Sequence, residues 1–149
     1  MKRSLFVAAA LLLGVSAVAA QQDIIDQSHA AMKANGKSLG GTLSPMARGD
    51  KPYDQAAVDA ALTQLDESAK KLPTLYPASI KDVKQTSEYT PSPKIWSDKA
   101  GFDAAIATFA KAVTEARGKI KDADSLKATL PTIGKSCSGC HETFRVKNS

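Results

Sequence analysis

The stretch Asp124–Phe144, DSLKATLPTIGKSCSGCHETF, carries Leu126, Leu130, Ile133, Cys137, Cys140 and Phe144 at alternating spacings of four and three. That is the period of a helix with one apolar stripe, whereas a strand would alternate by two. Asp124 or Ser125 is placed to cap it, and Pro131 must kink it or delay its start. Stripes of the same kind lie upstream. Ser92-Pro93 sets a cap before a first-turn proline, and Trp96, Phe102, Ile106, Phe109 and Val113 follow until near Gly118. Asp50-Lys51-Pro52-Tyr53-Asp54 opens another helix, whose stripe runs Val58, Ala61, Leu62, Leu65, Ala69 and Leu72 and stops at Pro73. From Ile25, the positions Ser28, Met32, Leu39 and Leu43 mark one more stripe. Asn35-Gly36 and Gly40-Gly41 leave open whether it is one long helix or three turns followed by a loop. Pro73 to Pro91 sustains no period and reads as a connection long enough to cover something. Amphipathic helices in this number predict an all-α fold, a single antiparallel four-helix bundle.

Composition agrees. The chain has 149 residues, 43% apolar, 23% charged and 5% aromatic, with 25 alanines, which suits one helical domain and not a β-sandwich or a disordered chain. Its two cysteines exclude a disulfide framework. Met1-Lys2-Arg3, the apolar run from Leu5 to Val15 and Val18-Ala19-Ala20 before Gln21 read as a secretory signal over residues 1–20. The apolar run is short of the ~20 residues that a membrane anchor needs. The expected mature domain, 21–149, then has no membrane span. Without Lys2 and Arg3, 18 basic residues face 15 acidic ones, so the formal charge of +5 falls to +3 and does not point to nucleic acid. GxxxxGK[ST], GxGxxG and HExxH patterns are absent, which removes the nucleotide and metalloprotease readings.

The chemistry is concentrated at Cys137-Ser138-Gly139-Cys140-His141. C-x-x-C-H is the attachment sequence of haem c: two thiols add across the vinyl groups and the adjacent imidazole binds iron. At about 100° per residue, Cys137, Cys140 and His141 share roughly one third of the helix circumference, so all three can address one planar ligand. Two other readings exist. A thioredoxin-like pair needs a βαβ context that this chain does not offer. A zinc site would have to join Cys137, Cys140 and His141 to the remote His29, which is unlike usual zinc spacing.

With a secretory start, helical stripes throughout 21–149, Pro93 to Trp96 opening the third helix, and C-x-x-C-H followed by Phe144-Arg145, the sequence resembles the cytochrome c-prime family, the class II c-type cytochromes. The resemblance implies an antiparallel four-helix bundle enclosing one covalent haem c, with the residue on the distal haem face supplied by the first helix. Some members carry a non-ligating side chain there and bind gases; others carry a methionine and are low-spin electron carriers. Ser28 stands where members often have arginine, a departure that removes that contact to a haem propionate. The resemblance also implies a role for Arg145, four residues after His141 on the same helix face, as a propionate partner or a proximal lid; the alternative is a solvated arginine. Trp96 packs either against the porphyrin or only in the core.

Antiparallel first and last helices would bring Met32 and His141 to heights within about 5 Å of each other. Met32 is therefore the expected distal ligand, with a core gap-filler as the alternative. Met46 lies ~21 Å further along a continuous helix, and His29, three residues from Met32, is expected to face the surface. Lys33, Lys37, Lys135 and Lys147 flank the ligand segments and could bias docking toward acidic redox partner proteins. The expected function is one-electron transfer by a periplasmic, His/Met-ligated monohaem cytochrome, monomer or homodimer and not an enzyme. The alternative is a five-coordinate cytochrome that binds NO or CO on the distal face.

Overall fold

The computed structural model describes the backbone of residues 4–148 and the side chains of residues 18–148. The expected n-region Met1-Lys2-Arg3 lies outside the described residues, as do the side chains of the apolar run after it. Helix α1 spans Ser4–Gly36 and continues without a break as a π-helical segment over Lys37–Leu43 and as α2 over Ser44–Arg48. Asn35-Gly36 is thus no turn. Wider i→i+5 bonding, with Ser44 N–H donating to the Leu39 carbonyl, carries the chain through Gly40-Gly41. The true stop is Gly49, whose φ of 80° is left-handed and lets its amide close back on the Met46 and Pro45 carbonyls.

Helix α3, Gln55–Lys71, starts where Asp54 accepts from the Ala57 amide at 3.1 Å. It buries Val58, Leu62 and Leu65, the stripe read from the sequence. The third helix departs from expectation. Pro93 opens only the single turn α4, Lys94–Ser97, and the chain then breaks at Asp98 before α5, Lys99–Lys119. Asp98 caps α5 by accepting from the Gly101 amide at 3.0 Å. A Cβ at position 101 would collide with that carboxylate, so the cap depends on glycine there. Helix α6, Ala123–Phe144, is capped by Asp122 and not by Asp124 or Ser125. Ser125 is instead the reciprocal partner in a capping box: its amide donates to Asp122 while its hydroxyl oxygen accepts from the Asp122 amide. The Ser125 hydroxyl, donating to Asp122 Oδ1 at 2.6 Å, and next the Ser125 amide hold the Asp122 carboxyl below its ordinary pKa. Pro131 lies inside α6 and does not delay its start.

The α1–α2 leg, α3, α5 and α6 form the four-helix bundle, with α5 packed most extensively on α6 and α3. Leu43, Val58, Leu62, Leu65, Val113, Leu126 and Ile133 are at or near zero exposure in its core. The connection 73–91 does cover part of the molecule. It ends in strand β1, Tyr89–Pro91, paired antiparallel with β2, Arg145–Lys147, in the register Tyr89↔Lys147, Thr90↔Val146 and Pro91↔Arg145. Ser92 N–H to the Phe144 carbonyl (3.0 Å) and Asn148 N–H to the Glu88 carbonyl (2.8 Å) extend this strap at both ends. Among the described residues no helix is long and apolar enough to cross a membrane.

Gly40 lies within the continuous helical leg and has open space around it, whereas Gly49 terminates that leg with positive φ. Gly40→Ala should raise the unfolding free energy measured by denaturant titration, by up to about 1 kcal/mol. Gly49→Ala should lower it, by roughly 1–2 kcal/mol. A destabilising Gly40→Ala would indicate that the leg breaks there.

Candidate functional site

The bundle is not filled by its own side chains. Between α1 and α6 lies a cavity of about 540 Å³, within the ordinary range for a bound cofactor. Its floor is apolar, with Leu65 from α3 and Phe102, Ile106 and Phe109 from α5. Phe102 sits at the centre of an edge-to-face aromatic set, 5.4 Å from the Tyr76 ring and 5.2 Å from Phe144. The strap closes one side.

On the α6 wall are Cys137, Cys140 and His141, as the helix period requires. Both cysteines are free and half-buried. Burial raises both thiol pKa values; the neighbouring Cys137 adds to the rise at Cys140, while the Ser136 hydroxyl opposes it at Cys137. These are protonated thiols at neutral pH, unlike the low-pKa thiolate of a redox enzyme. Burial, and secondarily Arg145, lowers the pKa of His141, so its imidazole is neutral at pH 7, the form that coordinates a metal. The four zinc candidates do not converge: among the described residues no three or more Cys, His, Asp or Glu side chains gather as a metal site.

Opposite, α1 contributes Ser28, His29, Met32 and Asn35 to the wall. Met46 is buried in the core and does not reach the cavity. His29 corrects the expectation of a surface residue: it lines the cavity and contacts Ser87, Nε2 to Oγ at 3.4 Å. Ser87 has one hydroxyl proton, and it goes to the Tyr89 carbonyl at 2.8 Å. The Ser87 oxygen can then accept from His29 Nε2.

Two cofactor-binding candidates sit differently from expectation. Trp96 is not part of the lining; Ile95 takes that place. The Trp96 indole N–H donates to the carbonyls of Tyr76 (3.1 Å) and Pro77 (3.2 Å), so it pins the start of the covering segment. Arg145 does line the cavity, but from β2 and not from a further helical turn, because α6 ends at Phe144. Its guanidinium stacks 4.2 Å from the centroid of the Tyr89 ring.

Tyr76, Ser87, Tyr89 and Asn35 are cavity residues that the sequence reading did not single out. Burial, followed by the Cys140 charge, pushes the Tyr76 phenol up to about 12, with the Ser28 hydroxyl acting in the opposite direction. Three-residue strands have no periodicity to detect, and an isolated tyrosine in a connection carries no signal of its own.

Paired thiols one turn apart with a neutral imidazole beside them are the attachment chemistry of covalent haem, so the slot they face makes this a c-type haem protein of the helical-bundle class. A family model described as Cytochrome C' matches residues 23–145, and the chain belongs to that family. It is 56% identical over 148 residues to cytochrome c-556 of Rhodopseudomonas palustris, covering 99% of both chains. The structure of oxidised cytochrome c556 from that organism superposes with a TM-score of 0.76 at 55% identity, over 86% of this chain and 99% of the other. Cytochrome c' from Rhodopseudomonas palustris superposes equally well, TM-score 0.76 at 40% identity, over 85% and 98%. The protein is a monohaem c-type cytochrome of the electron-carrying class, and its cofactor is covalently bound haem c. The residues present fit that group in volume, polarity and donor chemistry.

Replacing both Cys137 and Cys140 by Ala should leave the cavity without its covalent occupant and the chain expanded, with a broad urea transition. A sharp transition matching that of the holoprotein would show that the bundle does not need the cofactor.

Proposed function

We propose that this cytochrome carries single electrons in the periplasm through low-spin iron held by His141 and Met32, after removal of residues 1–20 as a secretory signal. Haem iron supplies reversible exchange between ferric and ferrous states. With His141 and Met32 both holding the iron, no substrate would need to bind and no acid or base to act, and the protein would serve as a carrier and not as an enzyme. A thioether ligand favours the ferrous state and raises the potential.

The observation that supports this reading is the identity of the side chains on the α1 wall. Met32 is half-buried there, facing the cavity that Cys137, Cys140 and His141 line from the other side. Of its two rivals, Met46 is packed in the core and His29 lies against Ser87 at the covering strap. Cys137 and Cys140 would hold the haem, with Arg145 as a partner for one of its carboxylates.

Lys33, Lys37, Lys135 and Lys147 are all exposed around the ligand segments. They would favour acidic redox partner proteins through steering more than through affinity. Lys147 is partly offset by Glu88 at 3.8 Å, so the other three carry most of this effect. The carrier would act as a monomer or homodimer.

Met32→Ala should convert the iron from low-spin to high-spin, lower the reduction potential and turn an unreactive ferrous site into one that binds CO stoichiometrically. Met46→Ala should do none of these. Optical spectra with and without CO read the result. A native ferric protein that is already high-spin, and is unchanged by Met32→Ala, would make the methionine a packing residue and leave gas binding as the function.

A further inference from the structure

Asn35 brings to the cavity wall a carboxamide that makes no contact of its own. It follows Met32 by three residues on α1, and both line the cavity. Its Oδ1 is buried and accepts no hydrogen bond, and no described residue accepts from its N–H groups. Asparagine is a poor residue for a helix interior, and a buried oxygen without a donor is a further cost. No contact inside the protein offsets either. The lining also has no free proton to give that oxygen: Ser28 donates to the Ile25 carbonyl at 2.8 Å, Ser136 to the Ile133 carbonyl at 2.7 Å and Ser87 to the Tyr89 carbonyl at 2.8 Å, while the Tyr76 phenol is engaged with Ser28. Half a turn of the carboxamide puts an N–H in the buried place instead. The group is therefore suited to donate there and not to accept.

The strap fixes where along α1 this amide lies. Ser87 touches His29 at 3.4 Å and its carbonyl accepts from Asn148 Nδ2 at 2.6 Å, so the strap end of the cavity is at His29 on α1 and beyond Phe144 on the α6 side. Asn35 is six residues past His29, about 9 Å along the helix away from that end. Met32 lies between them, and residues three apart on one helix have Cβ atoms about 5–6 Å from each other. A thioether that gives one lone pair to iron keeps a second, and sulfur is a weak acceptor. We infer that Asn35 is a positioning residue for the axial ligand: its amide N–H meets the Met32 sulfur, fixes the orientation of the thioether and draws electron density from it. Outer partners of this kind orient a ligating atom and tune its metal. A sulfur with less density to give favours ferrous over ferric iron. The inference rests on ligation by Met32.

The test uses haem-loaded protein. In the ferrous state a proton NOE should connect the Asn35 side-chain amide to the Met32 methyl group. Asn35→Leu, similar in size and without a donor, should keep the low-spin spectrum and move the ferric/ferrous ratio at fixed potential toward ferric, on the order of two- to tenfold. Asn35→Gln, which keeps the amide, should stay closer to wild type than the leucine variant does. In a Met32→Ala background, Asn35→Leu should leave the ratio unchanged, because the acceptor is gone. A shift that persists there would place the action of Asn35 elsewhere on the haem and overturn the inference, as would a wild-type ratio in Asn35→Leu with Met32 present. Met32→Ala separates the two readings: if it leaves the native spectrum unchanged, ligation by Met32 and the role of Asn35 fall together, whereas a spin-state change in Met32→Ala with an unmoved ratio in Asn35→Leu removes the role of Asn35 alone.

Discussion

The rest of the structure depends on one unfilled volume. Protein interiors pack like organic crystals, and a void lined by Leu65, Phe102, Ile106 and Phe109 forfeits dispersion contacts on every side. A space of about 540 Å³ between helices is the size of a cofactor site and not of a packing defect. Alanine-rich helices cannot fill it by themselves. The bundle is therefore a binding site first and a self-sufficient core second, and the covalent haem of this family occupies the place where large side chains are missing. The strap, the Trp96 anchor and the long first leg all serve to enclose that volume.

The enclosure also decides what the iron can meet. The α6 wall presents an imidazole kept neutral by burial, and the α1 wall presents a thioether with a histidine only three residues before it. An imidazole is the harder and more basic of the two, so His29 would compete unless something occupied its Nε2. Ser87 lies against that nitrogen at 3.4 Å, and because its own proton goes to the Tyr89 carbonyl its oxygen can accept from the imidazole.

Much of this was legible in the residues. The stripes Val58 to Leu72 and Leu126 to Phe144 specify helices because their apolar period repeats over several turns, and C-x-x-C-H specifies its ligand because three reactive groups fall on one stripe. Local chemistry with a competing partner was less readable. Asp122 rather than Asp124 caps α6 because Ser125 reciprocates, a pairing that only the folded turn reveals. Asp98 breaks the third helix because Gly101 lets the carboxylate approach. Asn35-Gly36, a turn signal in isolation, is overridden because Leu43 and Met46 beyond it are buried in the core and keep the helical leg continuous. Arg145 leaves the helix for a strand of three residues, and Trp96 turns its indole toward Tyr76 and Pro77; neither position has a period from which its orientation could be read.

Whether α1 closes the iron with a thioether while α6 supplies the imidazole can be read from X-ray absorption at the iron edge of the oxidised native protein. Ligation by His141 and Met32 gives a six-coordinate first shell containing one sulfur, with nitrogen from the porphyrin and His141 making up the remainder. A first shell of nitrogen alone, whether five- or six-coordinate, would contradict it.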